Sequence, residues 1–158
     1  MKLYIMRHGE AAPAVGFDLA ADVSRPLTEA GRAQVVQVIN QRKSTLAEVE
    51  LVLASPYLRA RQTAQLAIDQ LDVGLQLLIS DCLIPDSRPS EVLAFIDQLD
   101  ASAILIASHM PLVGRLVESL SAGSGPGSMG TAWLAALESE ATVPGFAELL
   151  WLEKPGGA

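Results

Sequence analysis

The sequence contains little cysteine, few aromatic side chains and no long apolar run. Its single cysteine among 158 residues cannot form an internal disulfide or a cysteine-based zinc site. Aromatic residues make up 4% of the chain, and no apolar run reaches the ~18 residues that a membrane-spanning helix needs. The first residues also lack the apolar stretch of a signal peptide. We therefore expect a soluble, cytoplasmic protein without membrane contact.

Positive charge is also scarce in this sequence. Lys and Arg number 11 against 18 Asp and Glu, which gives a formal net charge of −7 at pH 7. A chain this acidic is not expected to take nucleic acid or an anionic membrane surface as its main partner. An anionic substrate would have to be held by a local cluster of cationic side chains.

The apolar content favours a buried sheet. Hydrophobic residues make up 50% of the chain and charged residues 18%, which excludes disorder, collagen and coiled coil. Most of the apolar residues are Leu, Ala, Val and Ile, a composition typical of a parallel sheet covered by helices. The length fits one domain over residues 1–158, with a core that needs no disulfide.

Short apolar runs alternate with helical patterns along the chain. Strands are predicted at residues 2–6, 51–54, 75–79, 103–107 and 146–152. Helices are predicted to follow the N-caps Thr28, Ser55 and Ser90, with Pro56 in the first position of its helix, and a further helix to run over residues 111–120. Residues 10–27 and 122–130 are predicted loops, and residues 131–138 fit either a helix or a strand. This order predicts a three-layer α/β/α sandwich with a mostly parallel sheet.

The only two histidines both follow strong predicted strands. His8 comes after the first strand through Arg7, and His109 comes after the fourth. Ligands of parallel sheets bind beyond the carboxyl ends of the strands. Arg59 lies in the first turn of the helix after the second strand, where the helix N-terminus also favours an anion. Two arginines and two histidines at one edge predict a phosphate site.

Four motifs at these positions resemble those of the histidine phosphatase superfamily, which includes the cofactor-dependent phosphoglycerate mutases. In chain order they are Arg7-His8-Gly9-Glu10, Arg25-Pro26-Leu27-Thr28-Glu29-x-Gly31, Ser55-Pro56-x-x-Arg59-Ala60-x-Gln62-Thr63 and Ser108-His109-x-Pro111. They keep the order of the family and span residues 3 to about 115. The resemblance implies a phosphoglycerate mutase-like fold. The short length looks most like the small SixA-type phosphohistidine phosphatases.

The resemblance also implies a role for each residue at this edge. His8 is similar to the nucleophile that accepts the phosphoryl group as phosphohistidine, and it must be neutral to do so. Arg7 and Arg59 resemble the clamp on the non-bridging oxygens, and His109 resembles the second imidazole, which stabilises their charge. Water then releases inorganic phosphate. This scheme needs no metal or cofactor.

The general acid is the part in which the sequence departs from the family pattern. Many members use a Glu after the third strand, whereas this loop offers only Asp81 and Asp86. A phosphohistidine has a nitrogen leaving group, which is protonated more easily than an alkoxide, so a dedicated acid matters less. Asp81 is the candidate acid, and the alternative is that it is a solvated loop carboxylate.

The implied substrate is phosphohistidine on a protein, such as a histidine phosphotransfer domain or a phosphotransferase-system carrier. The chain is too short for a large lid, and an open site would admit a side chain from another protein. One alternative is a phosphatase for small phosphate esters or sugar phosphates. The non-enzyme alternative is a phosphate-binding module without turnover, which would not need the nucleophile.

Two short motifs point to other chemistry. Cys82 and Arg88 have the C-x5-R spacing of cysteine-based phosphatases, but Pro85 removes a backbone donor and Asp86 places a negative charge in the loop. Residues 125–130 match G-x-G-x-x-G, yet they follow a helix instead of opening a βαβ unit. We therefore expect Cys82 to be a structural cysteine. We expect residues 125–130 to form either a mobile loop near the edge of the site or a simple linker.

Overall fold

Six strands form one sheet in the computed structural model, which describes residues 1–156. The strands are β1 (Lys2–Arg7), β2 (Leu51–Ala54), β3 (Gln76–Ile79), β4 (Ala103–Ser108), β5 (Leu134–Glu138) and β6 (Glu148–Glu153). Their order across the sheet is β3-β2-β4-β1-β5-β6. β1 to β4 run parallel, while β5 and β6 are antiparallel to their neighbours. The mostly parallel sheet is confirmed, and the ambiguous residues 131–138 contain a strand.

Helices cover both faces of the sheet. They are α1 (Leu19–Val23), α2 (Glu29–Gln41), α3 (Lys43–Leu46), α4 (Leu58–Leu71), α5 (Pro89–Asp97) and α6 (Leu112–Leu120), with a short 3-10 helix at Asp81–Leu83. Alternate residues of β1 enter two separate core clusters, because successive strand side chains point to opposite faces. Leu3 and Ile5 pack with α5 and α6, whereas Tyr4 and Met6 pack with α2 and α4. The three-layer prediction is confirmed.

The helix N-termini follow the sequence signals only in part. Thr28 caps α2 as predicted, because its hydroxyl accepts a hydrogen bond from the N–H of Gly31 at 2.9 Å. The other two N-cap predictions are wrong. Ser90 lies inside α5, which begins at Pro89 because the fixed φ of proline suits the first helical position. Ser55 lies three residues before α4 begins, and its hydroxyl contacts the site described below.

The segment over residues 12–26 lies at the carboxyl edge of the sheet and was predicted to be a loop. It contains the short helix α1, which Asp18 caps by accepting from the N–H of Ala21 at 2.9 Å. None of the residues of α1 is buried. Val15, Phe17 and Leu19 are all exposed to solvent. The segment therefore adds surface next to the sheet edge and almost nothing to the core.

Helix length and composition also bear on membrane contact. Across residues 1–156, no helix combines the length and the apolar character needed to cross a membrane.

Candidate active site

The two histidines meet because β1 and β4 are neighbouring parallel strands. Arg7 pairs with Ser108 in the register of these strands, and the N–H of His8 donates to the carbonyl of Ser108 at 2.9 Å. His8 and His109 therefore leave the sheet side by side, with ring centroids 5.2 Å apart. Both side chains are buried. The predicted meeting of the two imidazoles at one edge is confirmed.

Arg59 joins the histidines from the first turn of α4. Its Nε lies 3.3 Å from Nε2 of His8, and its guanidinium is buried although it carries a charge. Its Nη1 donates to the backbone carbonyl of Asp22 at 2.7 Å. The guanidinium thus lies between the ring of His8 and the backbone carbonyl of Asp22.

The hydrogen bonds of His8 define which ring nitrogen carries the proton. Nδ1 lies 2.7 Å from the carbonyl oxygen of Gly9, which can only accept, so Nδ1 is protonated. Nε2 faces the N–H of Arg59, which can only donate, so this nitrogen presents its lone pair. This tautomer is the one that a nucleophilic Nε2 requires.

Arg7 completes the cluster, and its outer end is fixed by the glycine-rich loop. Its Nη1 donates to the carbonyl of Met129 at 2.8 Å. Among residues 1–156, two buried side-chain nitrogens lack a hydrogen-bond partner, Nε of Arg7 and Nδ1 of His109. Buried polar atoms are nearly always paired. Two such nitrogens in one cationic cluster are the donor set expected for an oxyanion site.

Burial and positive charge keep both imidazoles neutral. Burial lowers the pKa of His8 to about 4, assisted by the charges of Arg59, Arg7 and Arg25, although the hydrogen bond to the following carbonyl opposes this shift. Burial also lowers the pKa of His109, assisted by repulsion from the His8 ring when that ring is protonated and by the charges of the same three arginines. At neutral pH the site therefore holds positive arginines and uncharged imidazoles.

The low pKa of His8 makes stability depend on pH. The unfolded chain protonates this residue near pH 6.5, whereas the folded protein resists protonation down to about pH 4. Between these two pH values the unfolded state binds more protons than the folded state. The free energy of unfolding therefore falls as the pH falls. The contribution of His8 to this loss, relative to neutral pH, reaches about 3 kcal/mol at pH 4. Urea unfolding at a series of pH values measures the slope. His8→Gln should reduce the slope by the share of this residue, while His109 keeps its own share because burial lowers its pKa too. An unchanged slope in that variant would contradict the assignment.

The predicted acid, Asp81, is not part of this cluster. It lies exposed in the short 3-10 helix, and within residues 1–156 its carboxylate makes no hydrogen bond to any of the four site residues. Its charge contributes to the raised pKa of the Cys82 thiol, whose main cause is burial. The charge of the other loop carboxylate, Asp86, contributes to the raised pKa of Tyr57 behind burial and Asp22. Asp81 stays a prediction without a contact in the site.

Two residues that surround His109 were not predicted to take part. The hydroxyl of Ser55 lies 2.7 Å from Nε2 of His109, although the sequence suggested a helix cap at this position. The ring of Tyr57 packs edge-on against His109 at 4.8 Å, and the guanidinium of Arg59 lies 5.0 Å from the Tyr57 ring centroid. The Ser55-Pro56 motif contained a signal for the first contact, but nothing in the sequence singled out the tyrosine.

Thr63 connects the loop after β1 to α4. Its hydroxyl accepts from the N–H of Gly9 at 3.1 Å and donates to the carbonyl of Arg59 at 2.8 Å. Gly9 itself must lack a side chain, because a Cβ there would lie 2.7 Å from the carbonyl oxygen of Gly31. These contacts fix the backbone on both sides of the His8–Arg59 pair.

The two competing motifs do not form sites of their own. Arg88 pairs with Glu91 at 2.9 Å on an exposed surface, and burial raises the pKa of Cys82, which disfavours a reactive thiolate. The glycine-rich loop supplies the carbonyl of Met129 to Arg7. Its predicted position near the site edge is confirmed.

Comparisons with known proteins agree with the motifs and the site. Residues 3–84 match the family model of the histidine phosphatase superfamily (branch 1), and the chain belongs to this superfamily. Phosphohistidine phosphatase SixA of Escherichia coli (strain K12) is 36% identical over 140 residues, which are 87% of this chain and 84% of that protein. A SixA homolog of Haemophilus influenzae is 33% identical over 147 residues, 87% of each chain.

A solved structure supports the same relationship in three dimensions. The protein histidine phosphatase SixA complexed with tungstate superposes with a TM-score of 0.85, at 34% sequence identity. The superposition covers 98% of this chain and 97% of the other. The six-stranded α/β fold is therefore shared along nearly the whole length.

Proposed function

We propose that this protein is a phosphohistidine phosphatase that hydrolyses the N–P bond of phosphohistidine on a protein, through a phosphoenzyme at His8. The observation that carries the proposal is the state of the His8 ring. Its Nδ1 donates to the Gly9 carbonyl, and its Nε2 lone pair lies beside the Arg59 guanidinium. A neutral imidazole with a free Nε2 and a cation at hand is equipped to attack a phosphoryl group.

The reaction proceeds in two displacements at phosphorus. The substrate imidazole is protonated from solvent on the nitrogen that does not carry phosphorus. Nε2 of His8 then forms a bond to phosphorus while the P–N bond of the substrate breaks, and the substrate imidazole leaves as a neutral ring. A water molecule then attacks the phosphoryl group on Nε2, the second P–N bond breaks, and inorganic phosphate leaves. The imidazole of His8 returns to its starting state with its proton on Nδ1.

Arg7, Arg59 and His109 stabilise the charge on the non-bridging oxygens. Nε of Arg7 and Nδ1 of His109 are the unpartnered buried nitrogens of the cluster, and each donates to one oxygen. A hydrogen bond from the Ser55 hydroxyl to Nε2 of His109 leaves the ring proton on Nδ1 for this purpose. Donors held in place before the reaction lower the barrier because they need no reorganisation.

Asp81 remains the candidate general acid from the sequence, and no contact in the site supports it. An N–P bond reduces the need for such an acid, because the substrate imidazole can take up a proton on its other nitrogen and then leave as a neutral ring. An alkoxide leaving group would need an acid. The carboxylate of Asp22 pairs with the outer end of Arg59 at 3.5 Å, and within residues 1–156 no carboxylate contacts either imidazole of the site. This arrangement favours a phosphoramidate over an ester as substrate.

The proposed partner is a phosphorylated protein, and a histidine phosphotransfer protein is the kind we favour. The solved relative bears the name protein histidine phosphatase. Beside the site, the segment over residues 12–26 exposes Val15, Phe17 and Leu19, and apolar side chains grouped at a site are typical of a protein contact. The proposal includes one histidine phosphatase domain over residues 1–158 and the cytoplasmic location expected from the sequence.

Rates on four substrates test this function. We expect the enzyme to hydrolyse a phosphorylated histidine phosphotransfer domain fastest, a small phosphoimidazole more slowly, and a phosphoserine peptide and sugar phosphates least. The first comparison tests the protein partner and the second tests the P–N bond. Rapid hydrolysis of a sugar phosphate, with the phosphohistidine protein left intact, would instead establish the small-ester alternative. Phosphate binding without any turnover would establish the non-enzyme alternative.

A further inference from the structure

Asp22 in α1 joins two arginines at the edge of the site. Its Oδ1 lies 3.2 Å from Nη1 of Arg25 and 3.5 Å from Nη1 of Arg59, and its backbone carbonyl accepts from the same Nη1 of Arg59 at 2.7 Å. Arg25 is held a second time, because its Nε donates to the carbonyl of Ala12 at 2.8 Å. The two guanidinium groups are therefore neighbours across one carboxylate oxygen.

The charge of Arg25 acts on the reacting groups. It contributes to the lowered pKa of both His8 and His109, together with Arg7 and Arg59. A row of direct contacts leads outward from Nε2 of His8 to Arg59, then to Asp22 and to Arg25. Arg25 is more exposed than Arg59, with 29% of its side chain accessible against 6%.

The positive charge of the site matches the negative charge of a phosphoryl group only when Arg25 is included. A phosphoryl group carries about −1.5 to −2 charges at neutral pH. Arg7 and Arg59 supply two positive charges, but Asp22 places a negative charge against Arg59. Without Arg25 the net charge around the phosphoryl position would be +1. With Arg25 it is +2, which matches the anion, and Asp22 then offsets the repulsion between the two neighbouring guanidinium groups.

We propose that Arg25 is a third guanidinium of the phosphoryl-binding site, and that Asp22 is the positioning residue that holds it there beside Arg59. The expected effect of Arg25 on the turnover of phosphohistidine rests on the proposed function, whereas its expected effect on the binding of inorganic phosphate does not. The competing interpretation is structural, in which the Asp22–Arg25 pair only fixes the segment over residues 12–26. An exposed pair of this kind contributes little to stability, so the two interpretations predict different results.

Binding of inorganic phosphate to the purified protein, measured by titration calorimetry, is the first test. We expect Arg25→Ala to weaken this binding by about tenfold, the loss of one charge-assisted contact. Arg25→Lys keeps the charge and should lose less. Arg88→Ala is the matched control, because Arg88 forms the same kind of i,i+3 pair with Glu91 at 2.9 Å and does not contact the four site residues. It should bind phosphate as the parent does.

Two further readouts distinguish a role in the site from a structural role. NMR titration of the His8 ring should give a higher pKa in Arg25→Ala than in the parent and no change in Arg25→Lys, because only the first variant removes a nearby positive charge. The charged groups facing that ring are Arg7, Arg25 and Arg59. In the Asp22→Ala background, which also removes a negative charge from the site, the further change Arg25→Ala should cost less phosphate affinity than it does in the parent, because Asp22 no longer holds Arg25 in place.

The outcomes separate this inference from the proposed function. Parental phosphate affinity in Arg25→Ala would overturn the inference, as would a lower melting temperature with unchanged affinity and unchanged His8 pKa. A parent enzyme that leaves phosphohistidine intact, yet binds phosphate in an Arg25-dependent manner, would overturn the proposed function and support the third guanidinium. Loss of turnover on phosphohistidine in Arg25→Ala together with loss of phosphate affinity supports both.

Discussion

Replacing His8 with alanine is expected to lower kcat/KM on a phosphohistidine protein by about 10⁴-fold or more, because the reaction loses its nucleophile. The fold should survive this change. The backbone N–H of His8 bonds to Ser108 and its carbonyl accepts from Ala132, and neither contact depends on the imidazole. The variant should therefore remain a folded protein that can bind phosphate but cannot accept a phosphoryl group.

Rapid-quench trapping with a radiolabelled phosphodonor measures this result directly. The parent enzyme should carry an acid-labile label, and His8→Ala should carry none. The second histidine offers a matched control, since His109→Gln keeps the nucleophile and should still become labelled, although more slowly. Normal turnover by His8→Ala would remove this residue from the mechanism. Label that persists in His8→Ala would place the phosphoryl group on another residue.

Replacing Arg59 with alanine is expected to lower kcat/KM by about 10² to 10³-fold, the usual loss when one fixed donor to a developing oxyanion is removed. Its Nε lies 3.3 Å from Nε2 of His8, the nitrogen proposed to accept the phosphoryl group, so its charge acts at close range in a buried site. Arg61→Ala is the control on the same helix, because that side chain is exposed and, within the described residues 1–156, donates only to the carbonyl of Pro56. Parental activity in Arg59→Ala would exclude this residue from the clamp.

The stability of Arg59→Ala needs its own measurement. The sequence placed Arg59 in the first turn of the helix after the second strand, and the structure shows that it is only 5% exposed there. Its removal leaves the carbonyl of Asp22 without a partner and removes the cation from the ring of Tyr57. We expect a loss of about 1–2 kcal/mol in the free energy of unfolding. Assays well below the measured melting temperature separate this effect from the loss of activity.

The strands were predictable because their side chains alternate between two buried faces. A continuous apolar run such as residues 103–107 is typical of a strand that is buried on both faces at the centre of a sheet, and β4 has this position. The helix starts were less predictable. Ser55 has the side chain of an N-cap and precedes a proline, yet its hydroxyl bonds to His109, 54 residues further along the chain. A short sequence motif carries no information about a hydrogen-bond partner that is distant in the chain and comes close only on folding.

The short helix α1 is the clearest case of structure without a sequence pattern. Residues 10–27 have no periodic apolar face, since α1 buries none of its residues. The segment is instead fixed by polar contacts, including those of Asp22 with Arg25 and Arg59. The sequence therefore carries no signal for the pairing of Asp22 with Arg25 and Arg59, although Arg25 stands inside one of the four motifs.

The sequence by itself determined the α/β class, the edge of the sheet at which the candidate site lies, and four residues that meet there, Arg7, His8, Arg59 and His109. These follow from local order, because each residue comes directly after an apolar strand or begins the next helix. Only the tertiary structure decided which atoms meet. Arg7 contacts the carbonyl of Met129, 122 residues away, and the lone pair of His8 faces Arg59 because Gly9 accepts from its other nitrogen. The alternation of side chains along a strand specifies which face is buried. Strand order and register decide which residues are neighbours in the site, and burial lowers the pKa values of the two histidines.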